Sequence, residues 1–160
     1  MVELINFLDT LYEKQLATLT WRNAEQVAKY FQIKYIEEKI HKNWLAKLAM
    51  PNPKAIAFFI RINGQDIGVT YFHSIDHEKK QTDWGIYIYD ETMRRKGVGK
   101  EALSECLRYA ENVLKLNMVF LEILESNVAA KSLYEKFGFK LIWQKGNIIR
   151  MGKTLKPSYQ

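Results

Sequence analysis

The chain has one cysteine, three prolines and no long apolar run. A lone Cys106 in 160 residues excludes a disulfide framework and every multi-thiolate metal site. No apolar run approaches the ~20 residues that cross a bilayer. The start, Met1-Val2-Glu3-Leu4-Ile5-Asn6, lacks the basic flank and apolar stretch of a signal peptide. A soluble cytoplasmic protein without a membrane role is expected. Gly/Ser linkers, low-complexity stretches and repeats are missing too. The densest break, Met50-Pro51-Asn52-Pro53, reads as a loop, so residues 1–160 are expected to form one domain. What is present suits a globule: 48% apolar and 26% charged residues. A chain this long buries roughly two-thirds of its unfolded surface and needs no staple.

The net charge is +6. Such a surplus favours an anionic partner: nucleic acid, an acidic protein or a phosphorylated small molecule. It also serves plain solubility. Charge alone does not choose among these.

Residues 1–10 read as an edge strand. Helical pieces follow over 13–19 and 24–32, around Thr20-Trp21-Arg22-Asn23. Residues 37–49 read as a helix with Ile40, Trp44, Leu45 and Leu48 on one face. Next comes a hairpin: 55–62, a turn at Asn63-Gly64, and 65–73. After a polar loop at 74–80, a strand runs over 82–89. A helix starts near Gly97, with Val98, Ala102, Leu103, Cys106, Leu107, Ala110, Val113 and Leu114 as its apolar stripe. Residues 118–124 form a nearly all-apolar strand. Asn127 caps a short helix through Phe137, and Gly138 stops it. Two last strands, 139–144 and 148–151, turn at Lys145-Gly146-Asn147. The strand-helix-strand unit over 82–124 requires two parallel neighbours joined by a right-handed crossover. The fold class is therefore a mixed α/β (α+β) sheet.

The stretch that carries chemistry is Arg94-Arg95-Lys96-Gly97-Val98-Gly99-Lys100. It lies between a strand and a helix. Glycines let the backbone approach a ligand, and the first N–H groups of the helix lack internal partners. The helix dipole and four basic side chains add positive charge. Together these make an anion cradle, most naturally for a pyrophosphate. The plainer alternative is a glycine-relaxed turn capped by solvated lysines. A Walker A loop is excluded, because Glu101 follows Lys100 and position 94 is Arg. Gly97 to Ala102 fits the dinucleotide pattern G-x-G-x-x-A, with Glu122 20 residues past Ala102. That reading places the glycines about seven polar residues too far from the strand and leaves only about 60 residues for the remaining βα units.

Arg94-x-x-Gly97-x-Gly99 also resembles the Q/R-x-x-G-x-G/A signature of the GNAT superfamily of N-acetyltransferases. In that family a strand precedes the loop, as Asp83 to Tyr89 does here. A later strand ends near an Asn, followed by a helix reading A-x-x-L-Y-E-K-x-G-F. Asn127 and the run Ala130-Lys131-Ser132-Leu133-Tyr134-Glu135-Lys136-Phe137-Gly138-Phe139 match. The resemblance spans residues 20–152.

It implies a GNAT fold: a mostly antiparallel twisted sheet with one splayed parallel pair, flanked by helices. It implies acetyl-coenzyme A as cosubstrate and no metal. Arg94, Arg95, Lys96, Gly97, Val98, Gly99 and Lys100 match the pyrophosphate-binding loop, acting mainly through backbone amides. Ile88 and Tyr89 match the strand along which the pantetheine arm lies. A backbone N–H near Tyr89 would stabilise the oxyanion. Asn127 matches the position that bonds the pantetheine arm, besides capping its helix. Tyr134 matches the tyrosine that protonates the departing thiolate, and a neutral phenol suits that task. Read from the helix pattern alone, Tyr134 is a core aromatic. For the base that takes the amine's proton, Glu122 leads, with Asp83 and His73 as rivals. His73 and His77 stand four apart without a third ligand, which argues against a metal site.

The acceptor is a small-molecule amine. Trp21-Arg22-Asn23 resembles an element of two subfamilies: the Rim-type enzymes that acetylate protein N-termini, and the enzymes that acetylate a nucleotide-linked amino sugar, as in the pseudaminic acid pathway. The second is preferred. Trp21, Arg22 and Trp84 are the expected acceptor contacts, Arg22 against a diphosphate. A polyamine acceptor, a binding module without turnover and a homodimer stay open. A nucleic-acid binder does not find support, because the basic residues scatter outside 94–100.

Overall fold

The computed structural model describes residues 1–156; the last four positions of the expected 1–160 unit lie outside the described residues. The elements run β1 (Val2–Asn6), α1 (Tyr12–Asn23), α2 (Glu25–Ala28), α3 (Glu38–Leu48), β2 (Ile56–Ile62), β3 (Gln65–Asp76), β4 (Gln81–Ile88), α4 (Val98–Asn112), β5 (Met118–Leu124), α5 (Val128–Lys136), β6 (Lys140–Lys145) and β7 (Ile148–Thr154). One seven-stranded sheet has the order β1-β2-β3-β4-β5-β7-β6. Every neighbouring pair is antiparallel except β4 and β5. This is the mixed sheet with one parallel pair that the sequence calls for.

Asn63 and Gly64 have φ of 50° and 77°, the left-handed pair that a tight hairpin turn requires. The parallel pairing is short. It joins Gln81 to Met118, Thr82 to Val119 and Asp83 to Phe120, and then ends. Beyond Asp83 the two strands diverge and leave a gap.

The sheet's two faces are buried differently. α4 and α5 cover one face, where Phe72, Trp84, Leu103, Val119, Leu121 and Met151 share a core. On the other face α1 and α3 bury Phe7, Leu45, Leu48, Phe59 and Val69. Phe7 stacks on Phe59 with centroids 4.3 Å apart. Each such buried side chain contributes about 1.5–3 kcal/mol of apolar transfer.

Several boundaries differ from the sequence reading. Trp21-Arg22-Asn23 is the last turn of α1. The second helical piece shrinks to 25–28. Asn23 explains the break: its amide donates to Ile36 O at 2.9 Å and accepts from Ile36 N at 2.7 Å. It thereby holds residues 29–37 as a loop. On α3, Ile40 is 57% exposed, and the inward face is His41, Trp44, Leu45 and Leu48. A satisfied histidine occupies the place that periodicity gave to isoleucine: its Nε2 lies 3.3 Å from Thr18 Oγ1 and from Gln15 O. α4 ends at Asn112, so Val113 is exposed rather than part of the stripe.

Candidate active site

The gap between β4 and β5 opens into a cleft of about 610 Å3. Its walls come from both faces of the sheet. Tyr134, Trp84, Gly99 and Asn127 line one side; Tyr71, His73, Asp83, Glu122, Arg22 and Phe31 line the other.

The basic loop closes one end. Arg95 and Gly97 have φ of 62° and 79°, and Val98 begins α4. The first intrahelical bond links Glu101 N to Gly97 O at 3.0 Å. The amides of Val98, Gly99 and Lys100 therefore have no helical partners. A Cβ built on Gly99 would meet only Leu133, at 3.9 Å, and one on Gly97 would meet nothing within 4 Å. Free amides, open backbone and the exposed Arg95, Lys96 and Lys100 fit a pyrophosphate. Two side chains of the loop are spent elsewhere. Val98 is buried against Val2, Ile60 and Ile67, so only its N–H can serve. The Arg94 guanidinium donates to Ile88 O at 2.8 Å and Gln26 O at 2.7 Å and lies over Tyr30. It ties the loop to β4 and α2.

The strand edge needs a correction. Tyr89 N donates to Ile67 O at 2.9 Å, so the oxyanion donor expected near Tyr89 is not the N–H of Tyr89 itself. Antiparallel pairing alternates. With Tyr89, Tyr87 and Gly85 bonded towards β3, Ile86 and Ile88 turn their N–H groups towards the gap. Trp21 needs one as well. Its ring stacks on Tyr89 at 5.1 Å and meets Phe59 edge-on at 6.2 Å, and it lines no part of the cleft. Its observed contacts are packing against Tyr89, just past the end of β4, and Phe59. Trp84 lines the cleft but is only 3% exposed; it is a wall, edge-on to Tyr134 at 6.0 Å.

Asn127 accepts from Ala130 N at 3.3 Å, capping α5, and borders the cleft. Seven residues on, Tyr134 reaches the same cleft from α5. Burial pushes its phenol well above the ordinary value, so the hydroxyl stays protonated and able to donate.

Glu122 stands at the cleft mouth on β5. Its Oε2 accepts from Arg150 Nη1 at 2.9 Å. The same guanidinium holds Asp83 by two bonds, 2.7 and 3.1 Å. Arg150 therefore ties β7 to both strands of the diverging pair. Sequence reasoning missed it, because it lies 67 residues from Asp83 and 28 from Glu122 and no motif marks it. Gly85 was also missed. The Tyr71 ring passes 2.5 Å from where its Cβ would stand, so only glycine lets Tyr71 lie across β4.

At the acceptor end, Arg22 separates the cleft from a second, aromatic-lined slot of about 280 Å3, with Phe31, His41, Trp44 and Tyr87 in its walls. Its Nη2 donates to Ile33 O at 2.8 Å. The guanidinium lies 3.9 Å over the Phe31 ring. Its Nη1 is buried with no partner among the described residues. Among those residues no group of three or more His, Cys, Asp or Glu is arranged to hold a metal.

Known proteins match this architecture. Acetyltransferase PseH of Campylobacter jejuni is 28% identical over 141 residues, 88% of this chain and 86% of its own. Spermine/spermidine N(1)-acetyltransferase of Bacillus subtilis is 33% identical over 54 residues, 34% of this chain and 36% of its own. The crystal structure of C. jejuni N-acetyltransferase PseH in complex with acetyl coenzyme A has a TM-score of 0.73 at 22% identity, covering 98% of this chain and 100% of that one. Vibrio cholerae spermidine N-acetyltransferase, in complex with CoA and spermine, has a TM-score of 0.78 at 19% identity, covering 96% and 95%. These two likenesses establish the fold. The family model described as "Acetyltransferase (GNAT) domain" matches residues 7–140. The chain belongs to the GNAT family of acetyl-CoA-dependent N-acetyltransferases.

Proposed function

We propose that this acetyltransferase acts on a primary amine carried by a nucleotide-linked sugar. One observation carries the reading: among the described residues Arg22 Nη1 is buried without a partner, between the cleft and the aromatic slot. A buried unpaired donor on a charged group costs about 1–3 kcal/mol or more. An anionic oxygen relieves that cost, and a flat apolar slot beside it suits a base. A diphosphate between a base and an amino sugar presents these groups in that order.

The residues divide the work. The amides of Val98, Gly99 and Lys100 hold the pyrophosphate of the donor, with Arg95, Lys96 and Lys100 around it. Ile88 and Ile86 offer backbone donors along the gap, where the thioester carbonyl is polarised. Asn127 bonds the pantetheine arm. Tyr134 protonates the leaving thiolate. Glu122, with Asp83 and Arg150, meets the incoming ammonium. A cytoplasmic setting belongs to the same proposal; no helix of the described residues is long and apolar enough to cross a membrane.

A second reading has one observation behind it. Asp83 and Glu122 share a single guanidinium, so the mouth keeps an excess negative charge that suits a polyamine. Thiol release from acetyl-CoA with UDP-linked 4-amino sugars, polyamines and N-terminal peptides decides. Turnover of the amino sugar alone is expected, and preference for spermidine overturns the reading.

A further inference from the structure

The acceptor's amine must lose its proton before attack, and the cleft holds few groups able to take it. On the acceptor side these are Asp83, Glu122, Tyr71, Tyr87 and His73. Both oxygens of Asp83 and one of Glu122 accept from Arg150. Those three oxygens are therefore already occupied by the guanidinium. Tyr71 and Tyr87 are phenols that burial pushes up, Tyr71 to about 12, so they stay protonated. His73 is left. It sits opposite Asp83 in the sheet register, with Nδ1 3.2 Å from Ser74 Oγ. Its Nε2 has no partner among the described residues.

We infer that His73 Nε2 is the proton acceptor for the attacking amine, with the Asp83–Arg150–Glu122 bridge as its counter-charge. His73 Nε2 takes one proton from the ammonium. The freed nitrogen lone pair forms the C–N bond. The C–S bond breaks with its electron pair on sulfur, which takes the Tyr134 proton. The second nitrogen proton returns to the Tyr134 phenolate through solvent, and the imidazolium proton leaves to water. Burial and three charged groups set the balance at His73. Burial lowers its pKa most; Asp83 on β4 and Glu122 on β5 raise it; Arg150 on β7 lowers it. The balance lies below the ordinary imidazole value, which favours the neutral ring. Two carboxylates against one guanidinium leave a net negative charge beside it, which stabilises the imidazolium as it forms.

The inference rests on acetyl transfer to an amine and not on which amine. The ring of His73 in the full chain is followed by NMR against pH, with the His41→Gln and His77→Gln variants assigning the signals. Neutral at pH 7 is expected; a protonated ring at pH 7 overturns the proposal. With any amine that turns over, His73→Gln should lower kcat on the order of 100-fold. Acetyl-CoA affinity should stay unchanged, and the acidic limb of the kcat/KM profile should disappear. Added imidazole should partly rescue His73→Gly. If His73→Gln keeps the limb and Glu122→Gln removes it, Glu122 is the base and the inference fails. If no amine of the panel turns over, the amino-sugar reading fails while the NMR titration still decides the fate of His73.

Discussion

On the proposed reading, the two ends of the cleft recognise their ligands by different means. The cofactor end, from Arg94 to Lys100 and on through Asn127, works with main-chain groups: unpartnered amides at the start of α4 and the gap-facing N–H groups of β4. The acceptor end, between α1, α3 and the loop over 29–37, works with side chains: Arg22, Phe31, His41, Tyr71 and Tyr87. Backbone recognition restricts sequence tightly, because glycine adopts φ of 79° at Gly97 without strain. Side-chain recognition restricts it loosely, because many residues can fill a slot. A donor shared by a whole family suits the first kind of site, and an acceptor that differs between relatives suits the second.

The comparison breaks most sharply at Gly99. A Cβ there meets only Leu133 at 3.9 Å, so the fold tolerates a side chain, but a carboxylate would stand where the pyrophosphate is proposed to lie. Gly99→Glu should weaken acetyl-CoA at least about 100-fold by calorimetry, a loss of some 2.7 kcal/mol, with circular dichroism unchanged. Unaltered affinity would place the pyrophosphate elsewhere. The next effect falls on chemistry. Tyr134→Phe keeps the ring packed against Trp84 and Phe139 and removes the proton. Turnover should fall roughly 10²-fold, with acetyl-CoA affinity within a factor of about two. Full turnover would return Tyr134 to the core role that its helix pattern suggested.

The same contrast explains what the sequence revealed. Tyr134 entered the site only through the resemblance of its helix, and Gly97, Gly99 and the Asn127 cap were placed by local loop and cap chemistry. The crossover over 82–124 gave the parallel pair for the same local reason. What stayed hidden is assembled across the chain. Arg150 reaches two strands from β7, and its role exists only after β4, β5 and β7 have paired. Trp21 read as an acceptor contact, yet the ring it needs is Tyr89, far along the sequence. Residues 24–32 read as helix, but the Asn23 amide pins the chain downstream as a loop. On α3 the apolar count chose Ile40, while hydrogen bonds to Thr18 and Gln15 drew His41 inward. Periodicity sees apolar groups and is blind to a polar side chain that finds partners inside.

Arg22 tests the acceptor end alone. Arg22→Met keeps the stem over Phe31 and removes the unpaired donor. KM for a phosphate-bearing acceptor should rise about tenfold or more, as expected for a lost charge-assisted bond. Acetyl-CoA affinity should not move. Stability should hold or improve, because the variant no longer buries an unsatisfied Nη1. An equal loss for donor and acceptor would erase the distinction between the two ends.

The smallest effect comes from His41 at the back of the slot. Burial lowers its pKa below 6.5, and the bond to the Gln15 carbonyl only partly opposes this. The folded state therefore disfavours the imidazolium. Above pH 6.5 neither state is charged at His41, and it adds no pH dependence. As pH falls below 6.5 the unfolded chain takes up the proton first, so stability falls until the folded pKa is passed. His41→Gln should remove that part of the slope, seen as a smaller drop in Tm between pH 7.5 and 5.5 than in the natural protein. Because His41 lines the acceptor slot and is remote from the loop at 94–100, acetyl-CoA binding should keep its pH profile in the variant. A changed profile would mean that the two ends of the cleft are coupled through α1 and the loop that Asn23 pins, and that the division between backbone and side-chain recognition is not a division of function.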